Sequence, residues 1–172
     1  KLYINKADGF VGISLKKDDE IGACSTLDDF IVFRMDGTMT VSKVAEKVFV
    51  GKNPAHVAIY RKDDRVFYTM IYRDGRGGAC YAKKFTVSGV TRDKVYDLTR
   101  GKASSRVLWF ATHKTEEDTN FVVRAHFKTE GLRLRNLSVD FNFGNLEVKG
   151  RGVVGLQVTK NPVARIAKPQ KA

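Results

Sequence analysis

Phe30-Ile31-Val32-Phe33-Arg34-Met35-Asp36-Gly37 is the stretch that sets the fold class. Its apolar run is β-branched and aromatic, and Asp-Gly suits the positive φ angles of a two-residue hairpin turn. Phe67-Tyr68-Thr69-Met70-Ile71-Tyr72-Arg73-Asp74-Gly75 echoes it, and Asp8-Gly9 again follows an apolar run, so each Asp-Gly is expected to mark a β-hairpin. Val107–Ala111 and Phe121–Phe127 have the same character, and the periodicity throughout is read as two rather than three and a half. No stretch gives an amphipathic helix; Thr91–Thr99 mixes β-branched with short polar residues and reads as extended or irregular. The chain is therefore expected to be all-β.

Two elements repeat. Arg106-Val107-Leu108-Trp109-Phe110 is read as a third copy of the first, opening a hairpin whose turn has grown into the acidic loop Lys114–Asn120. The second element is out of phase with it. Glu46-Lys47-Val48-Phe49 leads to Gly51-Lys52, and Asp93-Lys94-Val95-Tyr96 leads to Gly101-Lys102. A looser version is Leu146-Glu147-Val148-Lys149-Gly150-Arg151. Spacings near about 40 residues belong to four-stranded blades of propellers and their relatives. The chain, 1–172, reads as a single domain with approximate repeats 1–53, 54–102 and 103–172. Three to four blades are too few for a closed propeller and fit an open array or a fragment.

Composition points to a polyanionic partner. Lys and Arg number 31 against 19 Asp and Glu, a formal net charge of +12. The excess is not a tail: residues 1–86 carry 15 basic and 11 acidic residues, and residues 87–172 carry 16 and 8. Cys24 and Cys80 are far apart in sequence and form no Cys-x-x-Cys, which argues for a reducing compartment and against a zinc ribbon. Apolar runs such as Phe30–Phe33 and Val107–Ala111 fall far short of the ~18 residues a membrane-spanning helix needs. With no initiating Met and a strand already at Leu2-Tyr3-Ile4, the chain is expected to be a piece of a longer protein.

No residue pattern supports catalysis. Gly150-Arg151-Gly152-Val153-Val154-Gly155 matches the dinucleotide fingerprint, but Leu156–Pro162 reads as a strand running into a proline where the fingerprint needs a helix. It is read as a Gly-rich turn. His56, His113 and His126 share no ligand spacing, so no metal site is expected. Asp28-Asp29 and Asp63-Asp64 each precede an apolar strand, where turn-forming acids sit. There remains the repeated basic element. Lys47 and Lys94 hold matching places after an acid, Lys52 and Lys102 each follow a Gly, and Lys43, Arg76, Lys83, Lys84, Arg92, Arg100, Lys149, Arg151 and Lys160 lie near the same turns. Repeated in space, these cations would form a periodic edge matching a line of phosphates. Lys1, Lys6, Lys114 and Lys128 lie outside that element.

The order of Leu2–Leu15, Asp28–Val44, Val48–Lys52, Val66–Gly75, Val90–Lys102 and Gly150–Leu156 resembles the C-terminal domain of bacterial type IIA topoisomerase A subunits. It is most similar to the topoisomerase IV-like A subunits of the Bacteroides group. The resemblance implies a β-pinwheel, an array of propeller-like blades with exchanged strands, whose basic outer rim binds and bends duplex DNA. It implies no catalytic residue and no cofactor in this domain; ATP and Mg would serve the ATPase B subunit and other domains of the A subunit. The parent would be a cytoplasmic, nucleoid-associated ATP-dependent type II topoisomerase. The Gln-Arg-Arg-Gly-Gly-Lys-Gly box of DNA gyrase A subunits is missing, and Arg73-Asp74-Gly75-Arg76-Gly77-Gly78 shares only its composition. That favours relaxation and decatenation over supercoiling. The alternative is a propeller-type module that binds protein or an anionic surface.

Overall fold

The computed structural model describes residues 1–15, 18–129 and 135–168. Its strands follow one another in a regular interlaced order. β1 (Leu2–Asn5), β2 (Phe10–Gly12) and β3 (Asp19–Gly22) begin a first blade, and β4 (Asp29–Phe33) and β5 (Thr38–Lys43) begin a second. The chain then makes β6 (Val48–Phe49), which pairs antiparallel with β2, before β7 (His56–Tyr60) joins β4. β8 (Phe67–Arg73) and β9 (Cys80–Thr86) begin a third blade, after which β10 (Tyr96–Asp97) pairs with β5 and β11 (Arg106–His113) with β8. β12 (Val122–Phe127) and β13 (Ser138–Asn142) form the last hairpin. β14 (Lys149–Gly150) and β15 (Leu156–Thr159) then pair with β9, and β16 (Val163–Ala167) with β12. Four sheets result among the described residues, ordered β3-β1-β2-β6, β10-β5-β4-β7, β11-β8-β9-β14 with β15 also on β9, and β13-β12-β16. The fold is all-β and built of blades, as a β-pinwheel is.

The chain divides into two compact units: 1–64 with 88–97, and 65–87 with 98–172. The first holds two of the sheets and packs Leu2, Ile4, Val11, Phe30, Val32, Val44 and Val50 into one core. The second holds the other two and is centred on Ile71, Ala82, Val123, Ala125 and Phe143. Cys80 lies in that second core, where burial pushes its thiol up to about 11, and both cysteines are free.

The interlacing explains why the second repeated element runs out of phase: β6 and β10 each close the blade begun before the one the chain has just started. It also corrects three readings. Arg106–Phe110 opens no hairpin with the strand after it, because β11 pairs with β8; the next hairpin after β8–β9 is β12–β13, starting beyond the acidic loop. The period of two fails in the central strands. Phe30, Ile31, Val32 and Phe33 are all buried, as are Phe67 to Tyr72, because these central strands are covered on both faces and read as continuous apolar runs. Asp8-Gly9, Asp36-Gly37 and Asp74-Gly75 do mark hairpins, but in loops longer than two residues, where only glycines take positive φ: Gly9, Gly37, and both Gly75 and Gly77. Asp36 serves instead by accepting the Thr38 N–H at 3.0 Å and the Thr38 hydroxyl at 2.7 Å.

The 150–155 segment is a turn from strand to strand, with Val153 N–H donating to the Gly150 carbonyl at 3.2 Å. Gly155 has φ +101°, and a Cβ there would lie 2.3 Å from the Ala82 carbonyl oxygen. Only glycine lets this turn lie against β9. Gly155→Ala should therefore destabilise the protein by about 1–3 kcal/mol in chemical denaturation. Gly150→Ala, whose added methyl would meet nothing within 4 Å, should change stability by less than about 0.5 kcal/mol. Equal effects would contradict the close approach.

Two histidines give a pH dependence. His56 stands 6.2 Å from the Phe33 ring, and burial, followed by the charge of Lys6, holds its pKa below the ordinary value. His113 Nε2 lies 3.0 Å from the Thr69 hydroxyl, to which Trp109 Nε1 donates at 3.2 Å; burial first and Lys168 next lower its pKa. Both are favoured neutral in the folded state, so the unfolded chain, with histidine pKa about 6.5, takes up protons first on acidification. Their stabilisation is complete above about pH 6.5 and is lost as pH falls below it. The Tm should drop between about pH 7.5 and 5.5, and the fall should be shallower in His56→Gln/His113→Gln. An unchanged slope in the double variant would contradict this assignment.

Candidate nucleic-acid interface

The first basic corner is built by backbone pairing. Val50 N–H donates to the Gly9 carbonyl at 2.7 Å, and Asn53 N–H to the Lys6 carbonyl at 2.9 Å. A Cβ on Gly9 would lie 2.5 Å from the Gly51 carbonyl carbon, so the Asp8-Gly9 turn and the Gly51-Lys52 segment meet only because Gly9 has none. Next to them Phe49 is in register with Phe10, their ring centroids 5.4 Å apart, and the Lys47 ammonium sits 4.3 Å from the Phe10 centroid. Lys6, Lys47 and Lys52 are all exposed here. Sequence order set Lys6 apart from this element; the hydrogen bond to Asn53 returns it.

The second blade positions Lys43, Arg92 and Lys94, also exposed. Asp93 N–H donates to the Val41 carbonyl at 2.8 Å and its carboxylate accepts the Ser42 hydroxyl at 2.7 Å, fixing the loop against β5. Arg92 Nε meets Asp29 Oδ1 at 2.9 Å, Lys43 is in register with Asp29, and the Lys94 ammonium lies 5.2 Å from the Tyr96 ring. Asp28 accepts the Ser25 N–H at 2.8 Å and pairs with Arg61 at 3.3 Å. The two acids thus brace turns and cations.

Register changes the repeat. Phe49 faces Phe10 and Asp97 faces Thr38, each the first residue after a turn glycine. Val48 therefore corresponds to Tyr96, Phe49 to Asp97, and the buried Val50 to the buried Leu98. The sequence match, which set Phe49 beside Tyr96, is off by one. Lys47 and Lys94 consequently hold adjacent rather than equivalent strand positions, whereas Lys52 and Arg100 each stand two residues beyond the buried residue. The looser third copy diverges further: β14 runs parallel to β9, and β15 takes the antiparallel place.

In the second unit, Asp74 is 5% exposed and gathers cations around the Gly75–Gly78 turn. Arg100 and Lys102 approach its Oδ2 at 3.8 and 3.7 Å. Arg73 donates to the Gly75 carbonyl at 2.8 Å and the Ser104 carbonyl at 3.0 Å, while Arg100 also donates to the Tyr81 hydroxyl at 3.0 Å. The exposed Arg76 belongs to the same turn. Charge-assisted hydrogen bonds are typically 2.7–2.9 Å, so the looser contacts of Arg100 and Lys102 leave donors for another anion. Arg73 was missed because its position at a strand end resembles any solvated arginine.

Lys83 and Lys84 are placed inward. Lys83 is 1% exposed and donates to the Leu98 and Arg151 carbonyls at 2.8 and 2.6 Å. Lys84 is 2% exposed and donates to Asn120 Oδ1 at 3.0 Å; burial foremost lowers its pKa, against the opposing charge of Glu116. Alternation on β9 does not expose either, since both faces of that strand are covered. Arg151 is half-buried, its carbonyl holding Lys83, and Lys149 and Lys160 are exposed at the ends of β14 and β15. The only helical segments among the described residues are two three-residue 3-10 turns, Glu117–Thr119 and Phe143–Asn145. These corners can hold phosphates through ammonium and guanidinium donors, but present no helix of the length that reads bases in a major groove.

A family model described as "Topoisomerase C-terminal domain, Bacteroidota" matches residues 1–171. Among curated proteins, the A subunit of DNA topoisomerase 4 from Borreliella burgdorferi (strain B31) is 29% identical over 100 residues. That match covers 57% of this chain and 16% of the relative. With the exchanged strands of its blades and a family match running nearly end to end, this chain belongs to the topoisomerase C-terminal domain family of Bacteroidota.

Proposed function

We propose that this domain binds and bends duplex DNA through its phosphates, as the C-terminal domain of a type IIA topoisomerase A subunit. The observation that supports this best is the clustering of exposed cations at turns beside exchanged strands: Lys47 and Lys52 in the first blade, Lys43, Arg92 and Lys94 in the second, and Arg76, Arg100 and Lys102 around Asp74. Lys149, Arg151 and Lys160 extend the set in the second unit. Lys83 and Lys84 serve the fold instead. Each exposed cation releases a condensed counterion when it meets a phosphate, so affinity comes largely from salt release and is indifferent to sequence.

The domain itself supplies no chemistry in this reading. Cleavage, ATP hydrolysis and Mg binding belong to the ATPase B subunit together with the rest of the A subunit. The domain holds the duplex for relaxation and decatenation. The parent enzyme works in the cytoplasm on nucleoid DNA. No helix among the described residues is long and apolar enough to cross a membrane.

Binding to random-sequence duplex should weaken steeply with salt. Lys47→Ala/Lys52→Ala/Lys94→Ala should flatten the slope of log K against log salt by about 2.7, and Arg76→Ala/Lys102→Ala by about 1.8. Lys1→Ala/Lys114→Ala/Lys128→Ala should leave it nearly unchanged, with circular dichroism confirming that all three variants fold. Equal flattening in all three would mean that charge acts diffusely. A flat response in the unmutated chain would favour a module that binds protein.

A further inference from the structure

We propose that Phe49 is a wedge that enters a base step of the bound duplex, a role that rests on the DNA-binding reading above. Phe49 is 58% exposed on the two-residue edge strand β6. The blade does not require an apolar residue there: the position with the same register in the second blade is Asp97, which is also exposed. Apolar surface left in water is unfavourable, and packing against Phe10 still leaves more than half of Phe49 exposed.

Its surroundings fit an anionic polymer better than an apolar partner. Phe10 backs the ring at 5.4 Å, and the Lys47 ammonium braces Phe10 at 4.3 Å. Backbone pairing brings Lys6 and Lys52 to the neighbouring turn. A supported aromatic edge beside three exposed cations matches a duplex, in which phosphates flank every base step. Apolar side chains inserted between steps unstack them and kink the helix, and flanking phosphate contacts offset the cost of about a few kcal/mol per step. Pyrimidine–purine steps unstack most readily, so the wedge would settle at a TA step without reading a base edge.

The test uses the chain as it stands, on a short G·C-rich duplex with one TA step whose adenine is replaced by 2-aminopurine. Saturating protein should raise the fluorescence by about two-fold or more as the base unstacks. Phe49→Ala should lose that rise while keeping the salt slope, because the lysines remain; Phe49→Leu should keep part of it. A duplex bound with a steep salt slope but giving no rise, or the same rise with Phe49→Ala, would overturn the wedge and leave the DNA reading standing. Such a result would assign Phe49 to a protein contact. Failure of the unmutated chain to bind duplex at low salt would remove both.

Discussion

The constraint on which the structure depends is that a blade cannot finish itself. After each central hairpin the chain starts the next blade before returning a short strand to the one behind, so β6 completes a sheet started at β1 and β10 one started at β4. Neither returning strand is more than two residues long, too short to hold by its own hydrogen bonds. β6 is secured by Val50, the buried residue just beyond it, which joins the core of its own unit. Full burial of such a side chain is worth about 1.5–3 kcal/mol, comparable to several net hydrogen bonds.

That arrangement also decides where charge can go. A returning strand is an edge strand, and edges need protection from pairing with other chains; lysines beside the edge provide it. The same lysines then face solvent next to glycine turns, where phosphates can reach them. Central strands offer no such freedom. Lys83 and Lys84 lie on β9 between partners on both sides, and their ammonium groups are taken up by carbonyl and amide oxygens. Lys83 ties β9 to Leu98 and to the 151 turn, so a lysine identical in type to those outside becomes part of the scaffold.

Fold class and hairpins were legible because Asp-Gly turns and β-branched runs are local signals. Lys47 and Lys52 are exposed beside a returning strand, while Lys83 and Lys84, grouped with them in the sequence, are buried. The register of the repeated element was not legible: the Phe49–Tyr96 match compares letters, whereas strand pairing compares distance from a turn glycine, and the two differ by one residue. The exchange itself left only an indirect trace, the phase difference between the two repeats, because strand partners are chosen by long-range packing. Lys6 escaped for the same reason, Arg73 because a strand-end arginine resembles any solvated one, and Phe49 looked like one more strand residue until its register partner and its exposure were known.

Lysine acetylation footprinting of the chain, with and without random-sequence duplex, tests the central claim directly. Exposed lysines beside the returning strands, Lys47, Lys52 and Lys94, and Lys102 beside Asp74, should react freely alone and be protected on DNA. Lys1, Lys114 and Lys128 should react alike in both states, and the buried Lys83 and Lys84 should stay unreactive throughout. Protection confined to Lys1, Lys114 and Lys128, or spread evenly over every exposed lysine, would contradict the account.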